Sequence, residues 1–255
     1  MNLIEVNEYF NSFLKDESYN NDISLNGIQI ENSDSRNKKI KRIAFAVDAC
    51  EETAEKAALL KADILFVHHG LFWGQCERIT NSHYRRIRSF IKNDLALVAY
   101  HIPLDANNPY GNNYGIASKL DLVNLQPFAS WRNMLIGVKG ELKRELSIEE
   151  ICELVLGADK QPSCMLKFGK DKIKSIGISS GGSGEDVNQA AEQGLDLFLT
   201  GTFEHEQYHY AKEMKMNVLA GGHYQTETFG VSAIKEKVEK ETDIECFFID
   251  IPTGL

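Results

Sequence analysis

A 20-residue interval occurs twice in this chain, and it constrains the fold more than any other feature. Ile43–Val47 reads IAFAV, a β-forming run, and Asp63 stands 20 residues after Ile43; Ile176-Gly177-Ile178 opens a second such run, and Asp196 stands 20 residues after Ile176. In the first copy, Glu51–Lys61 places Ala54, Ala57, Ala58 and Leu60 at helical spacing. Ile64–Val67, a helical stretch at His83–Lys92 and the run Leu95–Tyr100 complete an order of strand, helix, strand, helix, strand. In the second copy, Glu185–Glu192, Leu195–Leu199, Glu206–Lys215 and Val218–Ala220 repeat it. The next interval differs: Asp63 to His101 is 38 residues and Asp196 to His223 is 27, so the first copy carries an insertion around Leu71–Asn81. Strands alternating with helices imply parallel pairing through right-handed crossovers. The expected fold class is therefore α/β, with two related lobes from an internal duplication and mainly parallel sheets flanked by helices.

The expected lobes are 1–127 and 128–255. Within the second, Met134–Gly140, Ser147–Leu156 and Cys164–Phe168 read as strand, helix, strand, either part of that lobe or a small insertion over 128–170. Ser147 with Glu150 three residues later has the form of a capping box. A helix at Val231–Val238 and a strand at Cys246–Ile251 follow.

Composition excludes several function classes. Twenty-eight basic against 37 acidic residues give a formal charge of −9, which argues against a nucleic-acid binder working through a broad basic surface. Arg85, Arg86 and Arg88 do not share one helix face and read as solvated surface. The N-terminal MNLIE lacks the basic start and apolar run of a signal peptide, and no stretch reaches the roughly 18 apolar residues of a membrane helix. Five cysteines without CxxC spacing fit reduced thiols. A cytoplasmic location is expected.

Histidines cluster where strands end. Val67 leads into His68-His69-Gly70, Tyr100 into His101-Ile102-Pro103-Leu104-Asp105, and Ala220-Gly221-Gly222 into His223, with Glu227 four residues later. Ligands of open parallel sheets sit beyond the carboxyl ends of the strands, so topology alone puts these residues where a site forms. Imidazoles with two carboxylates make a nitrogen/oxygen set suited to divalent zinc, iron or manganese. Five such ligands would nearly saturate one ion; shared between two, with a bridging carboxylate, they leave positions open. Two divalent ions against two carboxylates leave a local charge near +2, which would attract a small anionic substrate. Neighbouring strand residues face opposite ways, so His68 and His69 converge only if the strand stops there, where Gly70 permits a turn.

The runs Asn26-Gly27-Ile28-Gln29, His68-His69-Gly70-Leu71-Phe72-Trp73, His101-Ile102-Pro103-Leu104-Asp105, His223-Tyr224-Gln225-Thr226-Glu227 and the closing Phe248–Pro252 resemble the Nif-three-like family, whose members carry the label GTP cyclohydrolase I type 2 homologue. The resemblance implies a dinuclear metal site, two related α/β lobes and a toroidal homohexamer. By motif match it makes His68, His69, Asp105, His223 and Glu227 the ligands of two divalent ions (Zn, Fe or Mn), with Glu227 bridging. His101 lies in the same motif outside the ligand set, orienting Asp105 or a substrate. Where the family often carries an acidic residue after Thr-Gly, this chain has Thr202 after Thr200-Gly201.

The implied function is a metal-dependent hydrolase acting on a nucleotide or other phosphate-containing small molecule. The alternative is a non-catalytic metal-binding regulator or carrier acting through protein partners. His101 and His209 are the candidate catalytic proton carriers, with His209 one helical turn after His205. Phe72 and Trp73 would stack on a ring, shield the site or pack between subunits. Ser179–Gly184 would hold phosphate on backbone amides or form a plain turn, with Ser183 a candidate helix cap.

Overall fold

The computed structural model describes residues 1–15 and 17–255. In chain order its elements are α1 (Leu3–Leu14), β1 (Gly27–Ile30), β2 (Arg42–Asp48), α2 (Glu51–Leu59), β3 (Ile64–His69), α3 (Asn81–Lys92), β4 (Ala96–Ala99), α4 (Ile102–Ala106) and α5 (Asn112–Lys119). Then come β5 (Val123–Trp131), β6 (Met134–Leu146), α6 (Ile148–Leu156), β7 (Cys164–Leu166), β8 (Ile173–Ser179), α7 (Val187–Glu192), β9 (Leu197–Thr200) and α8 (His205–Glu213). The last are β10 (Asn217–Ala220), α9 (His223–Thr226), α10 (Thr228–Glu241) and β11 (Glu245–Phe248). The chain forms two compact units, 1–104 with 231–251, and 105–230 with 252–255.

The first unit holds a five-stranded sheet in the order β1-β4-β3-β2-β11. β2, β3 and β4 are parallel, β11 adds in parallel beside β2, and β1 pairs antiparallel with β4. Residue parity splits the strands between two cores. Ala44, Ala46, Leu65, Val67, Leu97 and Ala99 pack with Ala54 and Ala57 of α2 and Ile87 and Phe90 of α3. On the alternate parity, Phe45, Phe66 and Tyr100 meet Phe10 of α1 or one another at ring-centroid distances of 4.8–6.4 Å. Burial on both faces explains the unbroken apolar run of β3. The surplus residues of the first copy fall in the irregular segment between β3 and α3.

The second unit holds a six-stranded sheet, β5-β6-β8-β9-β10-β7. β8, β9 and β10 are parallel, as the repeat requires, and antiparallel strands flank them on both sides. The segment over 128–170 adds strands to this sheet: β6 pairs β8, and β7 pairs β10. The β5–β6 hairpin turns on Arg132 and Asn133, both at positive φ (49° and 63°), the backbone of a two-residue turn matched to strand twist. Ile176, Ile178, Leu197, Leu199 and Leu219 build one core with α5 and α6. The capping box at α6 is present, with the Ser147 hydroxyl accepting from Glu150 N and the Glu150 carboxylate accepting from Ser147 N.

The 20-residue interval has a physical cause. Asp63 Oδ2 accepts the backbone N–H groups of Lys41 and Arg42 at the start of β2, at 2.8 and 3.1 Å. Asp196 Oδ2 does the same for Lys174 and Ser175 in β8, both at 3.0 Å. Each aspartate ties the entrance of its unit's first repeat strand to that of the second. The compact units differ from a linear cut at 127/128. The closing strand β11 returns to hydrogen-bond β2 in the first unit, and α5 packs in the second unit's core. Among the described residues, no helix is long and apolar enough to cross a membrane.

Candidate metal centre

In the first unit the parallel register sets Asp48 beside His69 at the carboxyl ends of β2 and β3. Both share the parity of Ala46 and Val67, and His69 Nδ1 lies 2.8 Å from Asp48 Oδ1. His68 has the opposite parity and is fully buried, with its Nδ1 3.1 Å from the Tyr100 carbonyl. The two rings nevertheless come together with centroids 4.4 Å apart. Gly70 is required here by a close approach rather than by its own φ. A Cβ would stand 2.3 Å from Gln29 Oε1, which accepts Leu71 N at 2.7 Å and Phe72 N at 3.3 Å.

His101 follows β4 and brings a third ring, with centroids 5.2 Å from His68 and 5.8 Å from His69. Its Nδ1 is 2.9 Å from Asp22 Oδ1 and its backbone N–H donates to Asn26 Oδ1 at 2.8 Å. The Asp22 side chain is 1% exposed and also accepts from Ser24 N, Asn26 Nδ2 and Ile102 N. Burial alone would push the Asp22 carboxyl up. The hydrogen bond and charge of His101, together with Asn26 and Ser24, outweigh it and hold the group below the usual carboxylate range.

These three pairings fix the tautomers. A carbonyl and two carboxylates accept, so each Nδ1 carries the hydrogen, and in its neutral form each ring keeps its lone pair on Nε2. Metal-binding histidines are oriented this way, by a carbonyl or carboxylate on the far nitrogen. Ligand nitrogens of the three rings lie within 4.8 Å of one another, close enough to hold a cation. Trp73 stands edge-on to His101, with centroids 5.0 Å apart and planes at 81°, and 6.1 Å from His69, so it covers the imidazoles. Phe72 turns instead to the His83 ring at 5.6 Å.

The second unit carries Asp105, His223 and Glu227. Asp105 is buried, and its Oδ1 accepts Asn112 Nδ2 at 2.8 Å and Ser180 Oγ at 3.0 Å. Asn112 is held in turn by accepting Gly230 N at 2.6 Å, and Ser180 by donating its N–H to Asn113 Oδ1 at 2.7 Å. His223 opens α9 and Glu227 closes it, so the i,i+4 spacing does bring them to one face: His223 Nε2 is 3.2 Å from Glu227 Oε1. Two ligands about 2.0–2.1 Å from a tetrahedral ion stand roughly 3.3 Å apart, so the pair fits one cation's coordination shell. Gly181, at φ +63°, allows this arrangement, since a Cβ there would lie 2.0 Å from Glu227 Oε1.

Other candidates find different places. Ser183 makes no side-chain cap; its hydroxyl donates to the Ser180 carbonyl, because the chain enters α7 through a 3-10 turn at Gly184–Asp186. His209 and His205 are exposed on α8, 6.3 Å apart by centroid, and His209 meets the Tyr208 ring at 5.4 Å. Arg85 pairs with Glu51 at 3.0 Å. The residues that motif reading missed are the orienting ones: Asp22, Asp48, Asn112 and Ser180. Asp48 was within reach, because it ends the strand-like run IAFAVD next to the run ending in His69.

The chain also resembles known proteins along its length. A protein from Deinococcus radiodurans named GTP cyclohydrolase 1 type 2 homolog is 44% identical over 92% of this chain and 88% of its own. One of the same name from Archaeoglobus fulgidus is 40% identical with full coverage of both. The crystal structure of TTHA1606 from Thermus thermophilus superposes with a TM-score of 0.88 over the whole of both chains at 32% identity. The family model Duf34/NIF3 (NGG1p interacting factor 3) matches residues 1–254. The chain belongs to the Duf34/NIF3 family.

Proposed function

We propose that this protein is a metal-dependent hydrolase acting on a nucleotide or another phosphate-containing small molecule, with two divalent cations held by His68, His69, Asp105, His223 and Glu227. The observation that carries the reading is the shared tautomer of the clustered imidazoles, each tied at Nδ1 to an acceptor and left with a lone pair at Nε2. Buried Asp105 and Glu227, the latter beside His223, would add oxygen ligands whose two negative charges offset half the charge of two divalent cations. Zinc, iron and manganese all suit this mixed set.

Bound cations would supply Lewis acidity, activating water near neutral pH and neutralising charge that develops on the substrate. The chain's own residues do the positioning. Tyr100 and Asp48 hold the paired rings, Asn112 and Ser180 hold Asp105, and Trp73 limits water around the imidazoles. His101 and His209 are the proton carriers of the proposal. A nucleotide is favoured by the name of the curated relatives and by the positive charge of the loaded centre. The same reading takes the protein as a cytoplasmic homohexamer with reduced thiols; Cys50, Cys76, Cys152, Cys164 and Cys246 are all free.

Elemental analysis of the purified protein together with its oligomeric mass tests the centre: about two ions per chain are expected, and one or none overturns it. Protein loaded with Mn, Zn or Fe is then assayed against GTP and a panel of phosphoesters. Turnover that disappears in Glu227→Gln while the fold persists supports the hydrolase. No turnover with any metal or substrate overturns it in favour of a metal carrier or regulator.

A further inference from the structure

The first unit contains a carboxylate that ligand chemistry does not account for. Asp22 is in an irregular segment, yet its side chain is withdrawn from water and receives four hydrogen bonds, from Ser24 N, Asn26 Nδ2, Ile102 N and the His101 ring. Burying a carboxylate is costly unless it is paired, and the His101 imidazole is the group with which it pairs. Asn26 joins the two, donating to Asp22 and accepting the backbone N–H of His101. The ring, its own amide and the next amide are thus fastened to two neighbouring side chains, which fixes both the position and the rotation of the imidazole.

Resting on the metal-centre reading above, we propose that Asp22 is a positioning residue that sets His101 up as the centre's proton acceptor, by holding its Nδ1–H and leaving the Nε2 lone pair beside His68 and His69. A buried acceptor on one ring nitrogen fixes the tautomer and supports positive charge when the other nitrogen takes a proton. In the hydrolytic step the water oxygen bonds to the electrophile while its proton passes to His101 Nε2. The bond to the leaving group then breaks, and that proton passes from Nε2 to the leaving group. Nδ1–H stays on Asp22 throughout. The His101 ring has 18% of its side chain exposed, so water can reach it, and the edge of Trp73 restricts that access.

The test is solid-state 15N spectroscopy of the full chain with ring-labelled histidine, metal-free and zinc-loaded, with His101 identified by the signal lost in His101→Gln. Wild type is expected to show His101 protonated at Nδ1 and bare at Nε2. In Asp22→Asn, part of the His101 population should move to the Nε2–H tautomer. On zinc loading, a coordination shift is expected at Nε2 of His68 and His69 and not at His101. An Nε2–H tautomer in wild type, an unchanged tautomer in Asp22→Asn, or a coordination shift at His101 Nε2 each overturns the proposal. Should Asp22→Asn not fold, Asn26→Ala, which removes the brace from both partners, is expected to mix the tautomers instead, and an unchanged tautomer there overturns the proposal as well. Wild type that takes up no zinc, yet shows the expected His101 tautomer and its response to Asp22→Asn, would sink the metal-centre reading while upholding the role of Asp22.

Discussion

Gly181 ties the backbone directly to the centre. Its φ of +63° suits glycine, and a methyl group there would meet Glu227 Oε1, the oxygen that also faces His223 Nε2. Because Glu227 is buried, its carboxylate has little room to retreat. Gly181→Ala is expected to lower zinc affinity at least tenfold, measured by competition with a chromophoric chelator. The left-handed backbone adds about 1 kcal/mol of strain, and displacing the buried Glu227 carboxylate adds to it, so the melting temperature should fall by at least a few degrees. Asp186 offers a second residue-level test. Burial pushes its carboxyl up to about 6 from 3.8, although Ser179 and Gln189 both donate to it. A carboxyl whose folded pKa is raised favours the fold most below its unfolded value, and that contribution is lost as pH rises through about 6. A rise of that size corresponds to about 3 kcal/mol. Denaturant melts from pH 4 to pH 7 should therefore show Asp186→Asn gaining on wild type by up to about that amount; a constant difference would refute it. The motif residues were legible because imidazoles and carboxylates at strand ends are conspicuous. Asp22 and Asn112 were not, since either residue in a loop or at a helix start reads equally well as a turn former.

At the scale of elements, the repeat was the legible feature and its aspartates explain why. Asp196 is held below the usual carboxylate range: burial pushes it up, but Lys170 at 2.6 Å and the amides of Lys174 and Ser175 more than compensate. The stability it supplies is full above 3.8 and is lost as pH falls through its lower folded value. Asp196→Ala leaves two backbone donors short and should cost about 1–3 kcal/mol, with the difference from wild type shrinking in acid. Asp63→Ala leaves the amides of Lys41 and Arg42 short in the first unit and should cost a similar amount at pH 7; thermal melts of both variants at pH 7, and of Asp196→Ala also at pH 3, check the pair. Strands β2, β3, β8, β9 and β10 announced themselves as apolar runs buried on both faces. β1 and β5 did not. Each is an antiparallel edge strand, and β5 is largely exposed over Asn124–Pro127, so its composition carries no apolar pattern.

At the scale of the whole molecule, cations that bind only the folded chain stabilise it in proportion to their saturation. At free metal roughly 100 to 1,000 times the dissociation constant the gain is about 3–4 kcal/mol. Chelation should then lower the melting temperature by roughly 6–16 °C for a chain of this size, and scanning calorimetry with and without a chelator checks it. An unchanged melting temperature in protein shown to have lost its metal would contradict a centre built into the fold. The return of β11 to the edge of the first sheet is also a whole-chain property, because a strand of four residues gives no sign of which distant edge it will join. By itself, the sequence determined the α/β class, the parallel triplets of both units and the placement of histidines at strand ends, because each follows from local periodicity and the direction of the strands. The tertiary structure alone decided which nitrogen of each imidazole bears the hydrogen. That depends on partners such as Asp48, 21 residues from His69, and Asp22, 79 residues from His101, and hydrogen bonds of that span leave no periodic trace in a chain.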